Sequence, residues 1–353
     1  MTFLKTLNKL IKKLKIKEVF KIKKICINGF GRIGRNFLRA AWKNPDIEIK
    51  YINDLFDAKY LAYSLKYDTV FGRFPGKVDA KEGILIIDGK EIPVTAERDP
   101  ANLPHSKNDI DVAVESTGFF TKRDGAKKHL DAGAKKVLIS APATDPDITV
   151  VLGCNDDLLT NEHKIISNAS CTTNCLAPVV KVLKDNFGIE KGIITTVHAI
   201  TGNQHTVDTA VSGSPISMTR GRAAAHNIVP TSTGAAKAIS LVFPELKGKL
   251  DGMAMRVPTL NGSVVDGKFV LEKEVSIEQI NTAMKNAAEG SLKDILEYTE
   301  DPIVSSDIIA NPASSIFCGL FTNTIGNLCS ILSWYDNEWG YSNRLVDLII
   351  KKL

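Results

Sequence analysis

The alternation of apolar and polar positions changes character halfway along the chain. In the first half, short apolar runs stand between helical patterns: "KKICIN", then "RNFLRAAW", then "IEIKYIND", which ends at Asp54. Further on come "IDVAVESTG", the helical "KRDGAKKHLDAG" and the apolar "KKVLIS". Short apolar runs bounded by turns read as strands buried on both faces, and their alternation with helices predicts a parallel sheet covered on both sides. "GILIIDGKEIPVTAERD" departs from this pattern, and its central Asp88-Gly89 predicts a hairpin.

After Cys171 a helix is predicted over 172–186. Longer strands follow, "GIITTVHAI", "KGKLDGMAMRVP" and "GSVVDGKFVLEKEV", then a helix, "SIEQINTAMKNAAEG". Strands with fewer crossover helices predict a mostly antiparallel or mixed sheet. The last helix, "YSNRLVDLIIKKL", carries the stripe Leu345, Leu348 and Ile349 and needs an apolar partner. These patterns predict an α/β protein: a doubly wound domain over 23–170, an α+β domain over 171–337, and a C-terminal helix over 338–353 that packs back on the first domain.

Composition adds one qualification. The chain has 353 residues, 44% hydrophobic and 24% charged, without an apolar run long enough to span a bilayer. Its net charge is +5, but residues 1 to 24 hold nine lysines against one glutamate, so the other 329 residues sum to −3. The body is therefore no polyanion binder by charge. Residues 1–22 form a basic extension in which Leu4, Leu7, Ile11 and Leu14 recur at helical spacing. A solvated, dispensable extension is the expectation, and nucleic-acid or membrane contact is expected only through it. The six cysteines are irregularly spaced, which suits free thiols in a reducing compartment, the cytoplasm.

Two stretches carry chemistry. Gly29-Phe30-Gly31-Arg32-Ile33-Gly34 matches G-x-G-x-x-G, follows a strand, opens a helix, and has Asp54 at the end of the next strand. That context is the dinucleotide fingerprint of a Rossmann domain, with a pyrophosphate on the helix N-terminus and the acid on the adenosine ribose. Asp54 would repel a 2′-phosphate, which predicts NAD rather than NADP. The second stretch is "SNASCTTNCL". Cys171 and Cys175 have no second pair at zinc-like spacing, so no metal is expected. Cys175, beside Leu176, suits a buried place. Cys171, among hydroxyls at the start of a helix, suits a nucleophile whose thiolate is favoured by the helix end and a neighbouring imidazolium. Its base is then sought among the histidines. His129 sits in a lysine-rich helix, and His105 and His163 in polar loops. His198 ends an apolar strand where an active-site edge would lie, and His205 and His226 remain open by position.

"INGFGRIGR", "ERDP", "ESTG", "SNASCTTNCLAP", "TTVHAIT", "STGAAKA", "MRVP" and "SWYDNEWGYSNR" stand in the order seen in phosphorylating glyceraldehyde-3-phosphate dehydrogenases, and from about Lys23 onward the chain resembles that family. The resemblance implies NAD-dependent oxidation of D-glyceraldehyde 3-phosphate to an acyl phosphate. Cys171 would form a thiohemiacetal and then a thioester, with His198 as general base. It implies that Arg32 and Ile33 meet the pyrophosphate, Asp54 the ribose, and Arg98 and Thr117 the adenine side. Ser140 and Asn337 would fix the nicotinamide half, with Tyr341 nearby. Thr201 and Arg256 match the pocket for the substrate phosphate. Ser170, Thr172, Thr233 and Gly234 match that for inorganic phosphate, with Arg220 or Arg222 completing it. A homotetramer is implied as well. The stretch from Thr209 to Thr219, in the family's loop between subunits, is a few residues longer than usual. Erythrose-4-phosphate dehydrogenase and an NADP-linked variant are the nearest alternative functions.

Overall fold

The structure, a computed structural model, describes residues 22–353; the predicted amphipathic helix of the extension lies outside the described residues. The first sheet has nine strands: β1 (Lys23–Asn28), β2 (Ile47–Asn53), β3 (Val78–Lys81), β4 (Ile84–Ile87), β5 (Lys90–Thr95), β6 (Val112–Glu115), β7 (Lys136–Ile139), β8 (Ile148–Thr149) and β9 (Ile165–Ser167). Their spatial order is β3-β4-β5-β2-β1-β6-β7-β9-β8. The pairs among β5, β2, β1, β6, β7, β9 and β8 are parallel, whereas β3–β4 and β4–β5 are antiparallel. The predicted hairpin is the β4–β5 pair, turned on Asp88 (φ 49°) and Gly89 (φ 85°), the left-handed pair that a two-residue turn of matching twist demands. Strands β1 and β6 run on either side of the point where the strand order reverses, and such a point is where open α/β sheets bind ligands.

The second sheet has eight strands: β10 (Ile189–Ala199), β11 (Val229–Ser232), β12 (Leu250–Val257), β13 (Ser263–Leu271), β14 (Leu296–Thr299), β15 (Ser315–Cys318), β16 (Asn323–Ile325) and β17 (Leu328–Tyr335). It is mixed: β10–β12 and β14–β15 are parallel, and the other pairs are antiparallel. The long Cys171–Phe187 helix buries Cys175, Leu176, Val179, Val180 and Leu183 against this sheet. The Trp339–Lys352 helix packs on the Arg32–Ala41 helix of the first domain, burying Leu345, Leu348 and Ile349. One apolar core runs through both sheets, so the cofactor turn and the cysteine are held in one rigid frame.

His105 and His129 depart from their sequence reading. Neither sits at the surface: both are fully buried, with His105 Nε2 2.9 Å from His129 Nδ1. A polar loop and a lysine-rich helix each turn one histidine inward because the other supplies its hydrogen bond, a pairing that no local pattern reveals. Burial pulls the pKa of His105 from 6.5 down to about 3, with the neighbouring His129 adding to it. Burial, and then Arg256, bring His198 to the same value. Both histidines are therefore neutral when folded, and the unfolded chain takes up their protons first. Stability should be complete above pH 6.5 and fall towards pH 3, by about 1.4 kcal/mol per pH unit for each histidine. Urea unfolding at a series of pH values tests this. His105→Phe should flatten the slope, and an unchanged slope would refute it.

Candidate active site

Gly29 (φ 91°) closes the turn after β1. A Cβ there would lie 2.7 Å from the Thr117 nitrogen, and one at Gly34 would lie 2.1 Å from the Gly29 carbonyl oxygen. Glycine is thus enforced twice by contact. A Cβ on Gly31 would meet nothing within 4 Å. Gly31 precedes the Arg32–Ala41 helix without any side-chain cap, and the first intrahelical bond is Arg35 N–H to the Gly31 carbonyl. The main-chain N–H groups of Arg32, Ile33 and Gly34 have no acceptor inside the helix, which suits an anion. The Arg32 side chain turns elsewhere: its Nε donates to Glu338 at 2.8 Å, and its other nitrogens bridge Glu338 and Asp68. The expectation that Arg32 meets the pyrophosphate thus narrows to its backbone. Ile33 packs its side chain on the core.

A cleft of about 570 Å³ opens beside this turn, lined among others by Gly29, Gly31, Asp54, Arg98 and Thr117. The Asp54 carboxylate accepts from the main-chain nitrogens of Phe30 (2.7 Å) and Phe56 (3.1 Å), which hold it at the end of β2. Arg98 is exposed at the rim. Ser140 follows β7, with its nitrogen donating to the Glu115 carbonyl at 2.9 Å. A glycine turn, an uncapped helix start and a fixed carboxylate around one cleft fit a dinucleotide.

Cys171 lies at the first position of its helix. Ser170 caps the helix, its Oγ accepting from Thr173 N at 3.1 Å. Ala169, just before it, is held at φ 53°, which costs on the order of 1 kcal/mol in a residue with a Cβ. The Tyr341 hydroxyl donates to the Ala169 carbonyl at 3.0 Å, and Ala169 N donates to Ser167 Oγ at 3.1 Å, so both flanks of the strained residue are tied. The result points Cys171 Sγ at His198 Nε2, 3.5 Å away. His205 and His226 lie exposed in the loop between β10 and β11.

Electrostatics correct the expected resting state. Burial raises the Cys171 pKa, opposed by the Arg256 charge and by donors on Thr172. His198 is neutral, so no imidazolium helps the thiolate. His198 Nδ1 lies 2.7 Å from the Ala199 carbonyl, and a proton on Nδ1 leaves Nε2 free to accept the thiol proton. Tyr335, unremarked in the sequence, locks the two elements together. Its buried hydroxyl bridges Thr172 Oγ1 and Thr196 Oγ1, both at 2.8 Å, and its ring meets the imidazole edge-on. A tyrosine at the end of an apolar strand gives no local sign of this task.

Arg256 NH1 lies 2.9 Å from His198 Nδ1 and 3.3 Å from Thr201 Oγ1, and its buried Nε has no partner. An orphan guanidinium donor beside a hydroxyl fits an anion. Of the second predicted pocket, Arg220 bonds Thr231 Oγ1 and the Ser232 carbonyl beside Thr233 and Gly234, whereas Arg222 pairs with Asp208 in an exposed ion pair. The Thr172 hydroxyl is turned inward to Tyr335 and not towards an anion, because the helix start presents it to the sheet. Asn337 is buried. Ser263 Oγ donates to its Oδ1 at 2.8 Å, which directs its amide nitrogen the other way, as a donor.

Residues 23–123 match the family model described as glyceraldehyde 3-phosphate dehydrogenase, NAD binding domain, and residues 170–337 match that family's C-terminal domain. The chain belongs to the glyceraldehyde 3-phosphate dehydrogenase family. It is 57% identical over 327 residues to the glyceraldehyde-3-phosphate dehydrogenases of Priestia megaterium and Geobacillus stearothermophilus, in each case over 92% of this chain and 96% of the relative. It is 56% identical to glyceraldehyde-3-phosphate dehydrogenase 1 of Bacillus subtilis over the same shares. The fold is thus this family's NAD-binding domain joined to its catalytic domain, NAD is its cofactor, and the protein is an NAD-dependent oxidoreductase. Among the described residues no group of histidines, cysteines and carboxylates is placed to hold a metal, and no helix is long and apolar enough to cross a membrane.

Proposed function

We propose that the protein oxidises D-glyceraldehyde 3-phosphate and inorganic phosphate to 1,3-bisphosphoglycerate through a thioester on Cys171, in the cytoplasm. The observation that carries this reading is the Cys171 Sγ to His198 Nε2 approach with the orphan Arg256 donor beside it. Cys171 attacks the aldehyde carbon as its proton passes by way of His198 Nε2 to the carbonyl oxygen, giving a thiohemiacetal and returning His198 to its neutral form. Bound NAD supplies the hydride acceptor, held by Gly29, Gly31 and Gly34 with the main chain of Arg32 and Ile33, by Asp54, Arg98, Thr117 and Ser140, and by Asn337, with Tyr341 behind the cysteine turn. His198 holds the proton on the path out of the thiohemiacetal hydroxyl, leaving a thioester. Inorganic phosphate, placed by Ser170, the Thr172 main chain, Thr233, Gly234 and Arg220, cleaves it.

Arg256 has a second task in this scheme. Its charge, 2.9 Å from Nδ1, helps to depress His198. A substrate phosphate on Arg256 and Thr201 would offset that charge and raise the basicity of His198, against the burial that holds it down. Arg256→Ala should raise KM for glyceraldehyde 3-phosphate ~100-fold, as expected for a lost charge-assisted contact of about 3 kcal/mol. A KM within twofold of the parent protein would refute this pocket. Val207, Ile216, Met218 and Ile228 are exposed in the loop before β11, which supports covering of that face in a homotetramer. The reading is tested by comparing NAD reduction with glyceraldehyde 3-phosphate and with erythrose 4-phosphate. Preference for the longer sugar, or for NADP, would overturn it.

A further inference from the structure

Beneath the adenosine side of the cleft runs a chain of buried polar groups that the chemistry does not use. Tyr51 OH lies 2.8 Å from His105 Nδ1, His105 Nε2 lies 2.9 Å from His129 Nδ1, and His129 Nε2 lies 3.1 Å from Glu115 Oε2. Tyr51, His105, His129 and Glu115 are all buried to within 1%. Among the described residues no lysine or arginine pairs with Glu115; its neighbours are an amide, a histidine and a threonine. Oε2 receives Asn28 Nδ2 at 2.6 Å together with His129, and Oε1 receives Thr117 N at 2.8 Å and the Thr117 hydroxyl.

With a single proton on each ring, the links run in one direction. A carboxylate only accepts, so His129 Nε2 carries a proton and its Nδ1 accepts. His105 then donates from Nε2 and accepts at Nδ1, where the Tyr51 O–H donates. Burial holds His105 neutral, as this direction requires. At the other end the Thr117 hydroxyl has committed its proton to Glu115, and its oxygen accepts from Phe119 N at 3.1 Å. Asn28 is fixed in turn: its Oδ1 accepts from Asn53 Nδ2 at 2.7 Å, and Asn53 also bonds Thr95 and the Glu97 main chain. Asn28, Asn53, Glu97 and Thr117 all line the cleft.

We infer that Glu115, satisfied through this one-way relay, is a positioning residue that sets the donor and acceptor pattern of the adenosine half of the cofactor site. The Thr117 hydroxyl faces the cofactor as an acceptor alone, suited to a ribose hydroxyl or an adenine amino group. The inference rests on the NAD reading of the cleft. Glu115→Gln places an amide nitrogen against donors that need an acceptor, on one side or the other.

The test uses the full-length protein, with NAD as substrate and adenosine monophosphate as competitive probe. For Glu115→Gln, KM for NAD and Ki for adenosine monophosphate are expected to rise together by ~10-fold or more, the scale of a lost hydrogen bond to a charged group. Turnover at saturating NAD and KM for the aldehyde should stay within twofold. Unchanged Ki, or a loss confined to turnover, would overturn the inference. Should Glu115→Gln fail to fold, His105→Phe interrupts the relay farther from the cleft. A severalfold rise in both constants supports the relay, and parental values overturn it. Parent protein that bound neither NAD nor the probe would instead sink the NAD reading itself.

Discussion

Cys171→Ser should lower NAD reduction on the order of 10⁴-fold or more, the scale seen when a covalent nucleophile is lost. The sulfur stands 3.5 Å from a neutral imidazole, so attack needs a proton transfer that a thiol makes far more readily than an alcohol. Cofactor affinity should not move, because the residues lining the adenosine cleft do not include the cysteine. The check is steady-state NADH formation alongside an NAD-binding titration. Retention of a tenth of the parental rate would rule out covalent chemistry at this atom.

The second large effect is expected at the base. His198→Asn removes the acceptor for the thiol proton but leaves the helix start, the strained Ala169 and the Tyr335 bridge in place. Loss of a general base costs about 10²–10⁴-fold in turnover. Alkylation of Cys171 by iodoacetamide should slow as well, since His198 accepts the proton in that reaction too. With the base gone, the alkylation rate should climb with pH through the range of the burial-raised thiol. An unchanged rate at neutral pH would show that the thiol ionises without the histidine.

The sequence made much of this arrangement legible, and the omissions have a common cause. The G-x-G-x-x-G turn, Asp54 and the Asp88-Gly89 hairpin are local rules: a few neighbours determine the backbone, so spacing alone exposes them. Cys171 was legible for the same reason, since its hydroxyl neighbours and helix start are contiguous with it. Tyr335, Ser263 and the inward histidines act between separate elements: Ser263 reaches Asn337 over 74 positions, and His105 reaches Tyr51 over 54. Tyr335 reaches Thr172 over 163 positions and Thr196 over 139, and no window along the chain contains both ends. The electrostatics of the cysteine depend on burial and on Arg256, which reaches the site only through the pairing of β10 with β12. Arg32 and Arg222 show the same limit: their charges are plain in the sequence, but their partners, Glu338 and Asp208, are fixed by the fold.

The central claim is that the oxidised substrate waits on Cys171 until phosphate removes it. Rapid mixing of the parent protein with NAD and glyceraldehyde 3-phosphate, in buffer free of phosphate and arsenate, tests it most directly. A burst of NADH stoichiometric with active sites should appear and then stall, with steady turnover resuming when phosphate is added. Continuous turnover without any such acceptor, or no burst at all, would contradict the account.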